Sequence, residues 1–200
     1  VLLRELVGGS TRFNDLRRGV PKMSPTLLSR RLKELEAAGV IERRPLKSEK
    51  GVFEYHMTAS GKDLRPVVEA IGFWGQKWVD AKLSLENLDP SLLMWDMRRN
   101  LNPTPLPDGR TVIQFLYREL PVSKQSWWLV VESHGAVDLC WSDPGFDVDL
   151  YVSTDLRTMT AIWMGLTTVK NEGAKVALTG NHEIASKMQA WLGLSPFATE

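Results

Sequence analysis

The sequence predicts an α+β fold in two parts, and three observations carry that prediction. Short amphipathic helices punctuated by Gly and Pro, then one strand–turn–strand pair, occupy residues 1–57. Beyond residue 110, period-two alternation between apolar and polar residues dominates, with helical periodicity between and after the strands. Charge divides the same way: residues 1–82 hold 16 Lys and Arg against 10 Asp and Glu, a net of +6, whereas residues 83–200 hold 9 against 14, a net of −5. A polyanion-binding half joined to an acidic half is the economical reading of that bias.

Composition narrows the class. The 200 residues are 43% apolar and 24% charged, enough for a sizeable core in one or two domains. No apolar run is long enough to span a bilayer, so no membrane span is expected. The opening, Val1-Leu2-Leu3-Arg4-Glu5-Leu6, is too short and too charged for a signal peptide and reads as a chain opening partway through a helix. The single cysteine, Cys140, forms no internal disulfide or Cys-rich zinc site and fits a reducing cytoplasm. His56, His134 and His182 stand singly, so neither a metal, a cofactor nor a Cys/His catalytic pair is expected.

The elements follow in order. Leu2, Leu3 and Leu6 share one side of a first helix that ends at Gly8-Gly9-Ser10, and Thr11–Arg18 supplies a second, stopped by Gly19 and Pro21. The third is marked at both ends. Ser24 can accept from the free N–H groups of the first turn, Pro25 gives up no useful donor there, and Gly39 can take the left-handed conformation that ends a helix. At about 100° per residue, Leu28, Leu32 and Leu35 fall on one side, while Thr26, Ser29, Arg30 and Lys33 gather on the other. One face packs, and the other carries hydroxyls and cations able to meet base edges and phosphates.

Val40–Leu46 and Val52–Met57 read as strands around the polar turn Lys47–Gly51, a hairpin with basic residues at its tip and base. Thr58 or Ser60 then caps one long helix through Leu64, Val67, Val68, Ile71, Trp74 and Trp78 to about Lys82. Two short helices around a Gly/Pro turn, the second with a basic face and a hairpin behind it, match a helix-turn-helix with a wing.

The runs Arg12–Pro21, Met23–Ile41 and Tyr55–Gly61 resemble the HxlR family of bacterial winged helix-turn-helix regulators in order, spacing and residue type. The resemblance covers residues 1–80. It implies a homodimer joined through an N-terminal helix and the last long helix, bound to a dyad-symmetric operator in double-stranded DNA. Ser24 to Lys33 would be the recognition helix, with Ser24, Thr26, Ser29, Arg30 and Lys33 toward DNA, and Arg43, Lys47 and Lys50 would serve the wing. The family's first helix, and the cysteine that redox-sensing members carry there, have no counterpart in this sequence, so thiol sensing by that route is not expected.

The second half opens with Leu83–Asn87 and a helix from Asp89-Pro90 through Met97, closed by Asn102-Pro103. Strands are expected at Val112–Arg118, Trp127–Glu132, Ala136–Trp141 and Asp147–Val152. Asp155 caps a helix through Leu166, Val176–Leu178 is a short strand, and Glu183–Leu192 a closing helix. Short turns predict a mostly antiparallel sheet, one face covered by helices. Residues 1–82, 83–108 and 109–200 thus read as a DNA-binding domain, a linker with a helix, and a second domain.

Asp147–Val152, Gly165-Leu166, Ala174–Asn181 and Trp191-Leu192 are similar to the sterol carrier protein 2 type domain over residues 110–194. That likeness implies an α/β-sandwich with an apolar cavity for a lipid or another hydrophobic small molecule. Six of eight tryptophans lie beyond residue 83, and aromatic and Met side chains commonly line such pockets. Trp128, Trp141, Met159, Trp163, Met188 and Trp191 are the candidate ligand residues.

The expected function is a ligand-responsive DNA-binding transcriptional regulator; the alternative is a lipid carrier or scavenger whose winged domain serves dimerisation. An enzyme is not expected. Asp138, Asp147 and Asp149 alternate on strands without a nucleophile or metal-spaced ligands, so no catalytic residue is assigned.

Overall fold

Each of the two units, Val1–Lys77 and Trp78–Glu200, into which the chain divides in its computed structural model has a hydrophobic core of its own. Residues 1–79, 85–86 and 88–198 are described. Lys82, the expected end of the long helix, and residues 83, 84 and 87 of the expected linker lie outside them.

In the first unit, α1 (Leu2–Val7), α2 (Phe13–Gly19) and α3 (Pro25–Ala37) precede β1 (Ile41–Pro45) and β2 (Phe53–Met57), with α4 (Ala59–Asp63) and α5 (Arg65–Trp78) after them. Leu2 and Leu6 from α1, Leu16 from α2, and Leu28 and Leu32 from α3 meet Ile41 in one core. Apolar positions spaced three and four apart put those leucines on one side of each helix. The hairpin is antiparallel, from Ile41 opposite Met57 to Pro45 opposite Phe53.

Two local expectations are corrected here. Thr11 and Arg12 are extended, not helical: Arg12 bridges Glu54, and the Tyr55 amide donates to the Thr11 carbonyl at 2.8 Å. Pairing with β2 satisfies backbone groups that a longer α2 would otherwise have held. The long helix is broken at Leu64 into α4 and α5. Pro66 offers no N–H to the helical ladder, so the turn tightens just before it, with Leu64 N–H bonded to the Gly61 carbonyl at 3.1 Å.

The second unit holds α6 (Pro90–Asn100), β3 (Thr111–Leu116), α7 (Val122–Gln125), β4 (Ser126–Val131) and β5 (Val137–Cys140). After them come β6 (Leu150–Ser153), α8 (Leu156–Trp163), β7 (Ala177–Gly180), α9 (His182–Ser186) and α10 (Met188–Leu192). The strand order is β5-β4-β3-β6-β7. This sheet is mixed, which corrects the mostly antiparallel sheet expected from the sequence: β6 lies parallel to β3, Ile113 opposite Leu150 and Leu116 opposite Ser153. The closing helix, expected as one from Glu183 to Leu192, is two, broken at Lys187.

Leu93, Met94 and Met97 of α6, from the stretch read as linker and helix, enter the core of this unit beside Ile113, Phe115, Leu129 and Val152. Tyr117 is buried there with its hydroxyl donating to the Met94 sulfur at 3.2 Å, and burial pushes its phenol well above the ordinary value. The opposite face of the sheet is not bare. Val112, Trp128 and Val130 form a smaller buried cluster on it, so the central strands are covered on both sides.

Candidate nucleic-acid interface

Helix α3 is built as its sequence dictates. The Ser24 hydroxyl accepts from the Leu27 amide at 3.3 Å, Pro25 occupies the first turn, and Gly39 follows the helix with φ of +70°. Leu28 and Leu32 are buried, whereas Ser24, Thr26, Ser29, Arg30 and Lys33 are all exposed. The leucines anchor the helix, and its hydroxyl and cationic side faces outward.

Charge pairing divides the cations of this unit. Glu34 engages Arg31 at 2.6 Å and Arg30 at 3.5 Å, the latter long enough to leave Arg30 readily diverted. In the hairpin, Arg43 lies over the Phe53 ring at 3.5 Å, an orientation that holds its guanidinium beside the strand pair. Arg44 is spent on Glu42, and that hydrogen bond holds the Glu42 carboxyl below the usual carboxylate range. Arg12 donates to Glu49 at 2.5 Å, joining the start of α2 to the hairpin turn. Among the described residues, Lys33, Lys47 and Lys50 make no ion pair, and neither do Arg17 and Lys22. The last two, exposed at the end of α2 and in the turn before α3, are further candidates that helical periodicity does not single out. Their signal was present as the basic residues flanking Gly19-Val20-Pro21.

The hairpin is docked on the helices by side-chain bonds. Thr58 donates to the Gly39 carbonyl at 2.6 Å and accepts from the Gly61 amide at 3.2 Å, so one hydroxyl ends β2, starts α4 and holds the exit of α3. Gly61 sits so close to the first strand that a Cβ there would stand 2.1 Å from the Val40 carbonyl oxygen.

Residues 1–83 match the HxlR-like helix-turn-helix family. The uncharacterized HTH-type transcriptional regulator YvaP of Bacillus subtilis (strain 168) is 36% identical over 80 residues, which cover 40% of this chain and 74% of that relative. This chain belongs to the HxlR-like family. A second relative from the same organism, the uncharacterized HTH-type transcriptional regulator YdeP, is 38% identical over 86 residues, 43% of this chain and 67% of the relative. Among solved structures, the redox regulator HypR in its reduced form is 32% identical, with 42% of this chain and 83% of that chain covered and a TM-score of 0.38. The HxlR-like match accounts for the first unit only. The structure of Sterol Carrier Protein 2 Like 2 from Aedes aegypti is 16% identical, with 62% of this chain and 97% of that chain covered and a TM-score of 0.33, too slight a likeness to assign a fold.

The ligand residues expected in the second unit are dispersed. Met159, Trp163, Met188 and Trp191 share its larger core, where the Trp191 indole N–H donates to the Ile184 carbonyl at 2.7 Å. Trp128 lies on the opposite face of the sheet, because neighbours on a strand point to opposite sides. Trp141, just past the end of β5, is 59% exposed. The acidic strand residues also part: Asp149 accepts from the Val112 amide at 2.8 Å and so serves the sheet, while Asp138 and Asp147 are exposed.

Proposed function

We propose that this HxlR-like chain is a DNA-binding transcriptional regulator that acts as a homodimer on a dyad-symmetric operator, with α3 in the major groove. The observation that carries the reading is the division of α3 into a buried leucine side and an exposed side of Thr26, Ser29, Arg30 and Lys33. Ser24 adds a hydroxyl at the helix start. Arg43, Lys47 and Lys50 on the hairpin reach sugar and phosphate beside it, joined by Arg17 and Lys22.

Dimerisation is assigned to α5. Val67, Ile71 and Trp74 recur at helical spacing on it and are exposed, Ile71 by 65% and Trp74 by 61%. The second unit, similar in sequence pattern to the sterol carrier protein 2 type domain over residues 110–194, takes a hydrophobic or lipid-like ligand that modulates operator binding. Linkage then requires different ligand affinities for the DNA-competent and incompetent arrangements.

Separate Arg30→Ala and Lys33→Ala variants test the DNA reading, with binding measured on selected operator DNA and on scrambled DNA across salt concentrations. A base-reading residue loses about 1–3 kcal/mol on the operator and relaxes its specificity. A phosphate contact weakens both DNAs alike and flattens the salt slope by about one unit. Unchanged binding in both variants would remove α3 from the groove.

A further inference from the structure

The parallel pair β3 and β6 creates a feature that nothing in the winged unit needs. From its C-terminal end β3 continues toward β4 on one side, while β6 continues through α8 to β7 on the other. Adjacent parallel strands whose connections depart in opposite directions leave a crevice outside their carboxyl ends, the place where open mixed and parallel sheets take ligands. A groove of about 740 Å3 lies there, lined at and beyond the end of β3 by Leu116, Arg118 and Glu119 and at and beyond the end of β6 by Ser153, Thr154 and Asp155. Its size falls in the range of roughly 300–1,000 Å3 usual for small-molecule sites.

The polar groups of that lining are unequally spent. Glu119 accepts from the Leu156 amide at 2.6 Å, and Asp155 accepts from the amide and hydroxyl of Thr158 at 2.7 Å, so both carboxylates serve the start of α8. Lys175 is bound to Glu172 at 2.8 Å. Among the described residues, the exposed Arg118 guanidinium has no ion-pair partner. Thr154 is only 7% exposed, and its hydroxyl oxygen is buried with no hydrogen-bond partner. A buried hydroxyl is rarely left so, and a groove wall is where a bound group can complete it. Much of the remaining lining is apolar or aromatic, with Val176, Ala177 and the exposed ring of Tyr151, and Thr179 adds a hydroxyl.

We infer that this groove binds a small amphipathic carboxylate, its head on Arg118 and Thr154 and its chain along Leu116, Tyr151 and Val176. A guanidinium fork matches a carboxylate in geometry and charge, while the apolar side chains of the lining accept a hydrocarbon tail. This rests on reading the second unit as a ligand-binding module, but it places the ligand at the strand ends and not among the core tryptophans.

Titration calorimetry of the full chain with decanoate and with decylamine, chains of opposite charge, tests the assignment. Decanoate is expected to bind one per chain and decylamine not to bind. Arg118→Gln weakens decanoate by about tenfold or more, and Thr154→Val weakens it as well. Absence of decanoate binding, equal binding of decylamine, or an Arg118→Gln variant that binds as the parent does would each overturn the groove. Weakening by Trp163→Phe with Arg118→Gln silent would also overturn it, while leaving a core ligand site standing. Decanoate that binds as expected without changing operator affinity would leave the groove and remove the regulatory reading.

Discussion

Gly61 shows how much one residue can decide in this chain. Its backbone needs no unusual conformation, yet the Val40 carbonyl approaches to where a side chain would begin, 2.1 Å from the Cβ position. Gly61→Ala therefore forces α4 away from β1 and is expected to cost roughly 1–3 kcal/mol, read as a lower urea midpoint by circular dichroism. Gly39 is different: nothing crowds it, and its φ of +70° is the reason for the glycine. Residue-scale charge also sorts the interface. Of the cations expected to meet DNA, Lys33, Lys47 and Lys50 are unpaired among the described residues, whereas Arg43 is stacked on Phe53. That distinction was not legible in the sequence, because pairing depends on which carboxylate folds back within reach.

At the scale of elements, the caps were legible and the breaks were not. Ser24, Asp89 and Asp155 all cap the helices expected of them, since a cap needs only a side chain and an amide two or three residues on. At Asp155 burial raises the carboxyl pKa, but the side-chain and backbone bonds of Thr158 outweigh it and leave the group below its ordinary value. The folded state thus holds this proton more weakly than the unfolded chain. The cap's contribution is fully present above the unfolded value of about 4 and is lost as pH falls below it through the lower folded value. Asp155→Ala should cost about 1 kcal/mol at neutral pH, and the gap from the parent in urea unfolding should close on acidification below about pH 4. A constant gap would mean that the carboxylate is not the stabilising group. The break at Leu64 was not legible, because it follows from Pro66, which has no N–H to carry the helical hydrogen bonding through that turn.

For the whole molecule, the two-part organisation was visible in the charge asymmetry, and the chain does divide into two units, near residue 77. The proposed homodimer depends on α5. A helix face carrying exposed Ile71 and Trp74 is stable when a second copy covers it. Ile71→Glu is expected to convert the dimer to monomer in sedimentation velocity and to weaken operator binding with it, because two half-sites then bind independently. A dimer that persists in that variant would move the interface off α5. The order of the larger sheet was not visible. Alternation shows which residues of a strand face together but is silent about which strand lies beside it, so the entry of β6 next to β3 appeared only in three dimensions.

By itself, then, the sequence determined what is encoded within a few residues: the capped amphipathic helix α3, the basic hairpin, the apolar sides of the strands, and membership of a winged, DNA-binding class. These depend on backbone hydrogen bonding and periodicity, which act locally. Tertiary structure alone decided what depends on long-range pairing. It set Trp128 across the sheet from Met159 and Trp191, left Trp141 exposed, and tied Arg12 to the hairpin through Glu49. It also opened a crevice at Leu116 and Ser153, where two strands far apart in the chain end side by side. Contacts of that kind arise when packing selects one arrangement from several with equally good local patterns, and no short stretch of sequence carries the choice.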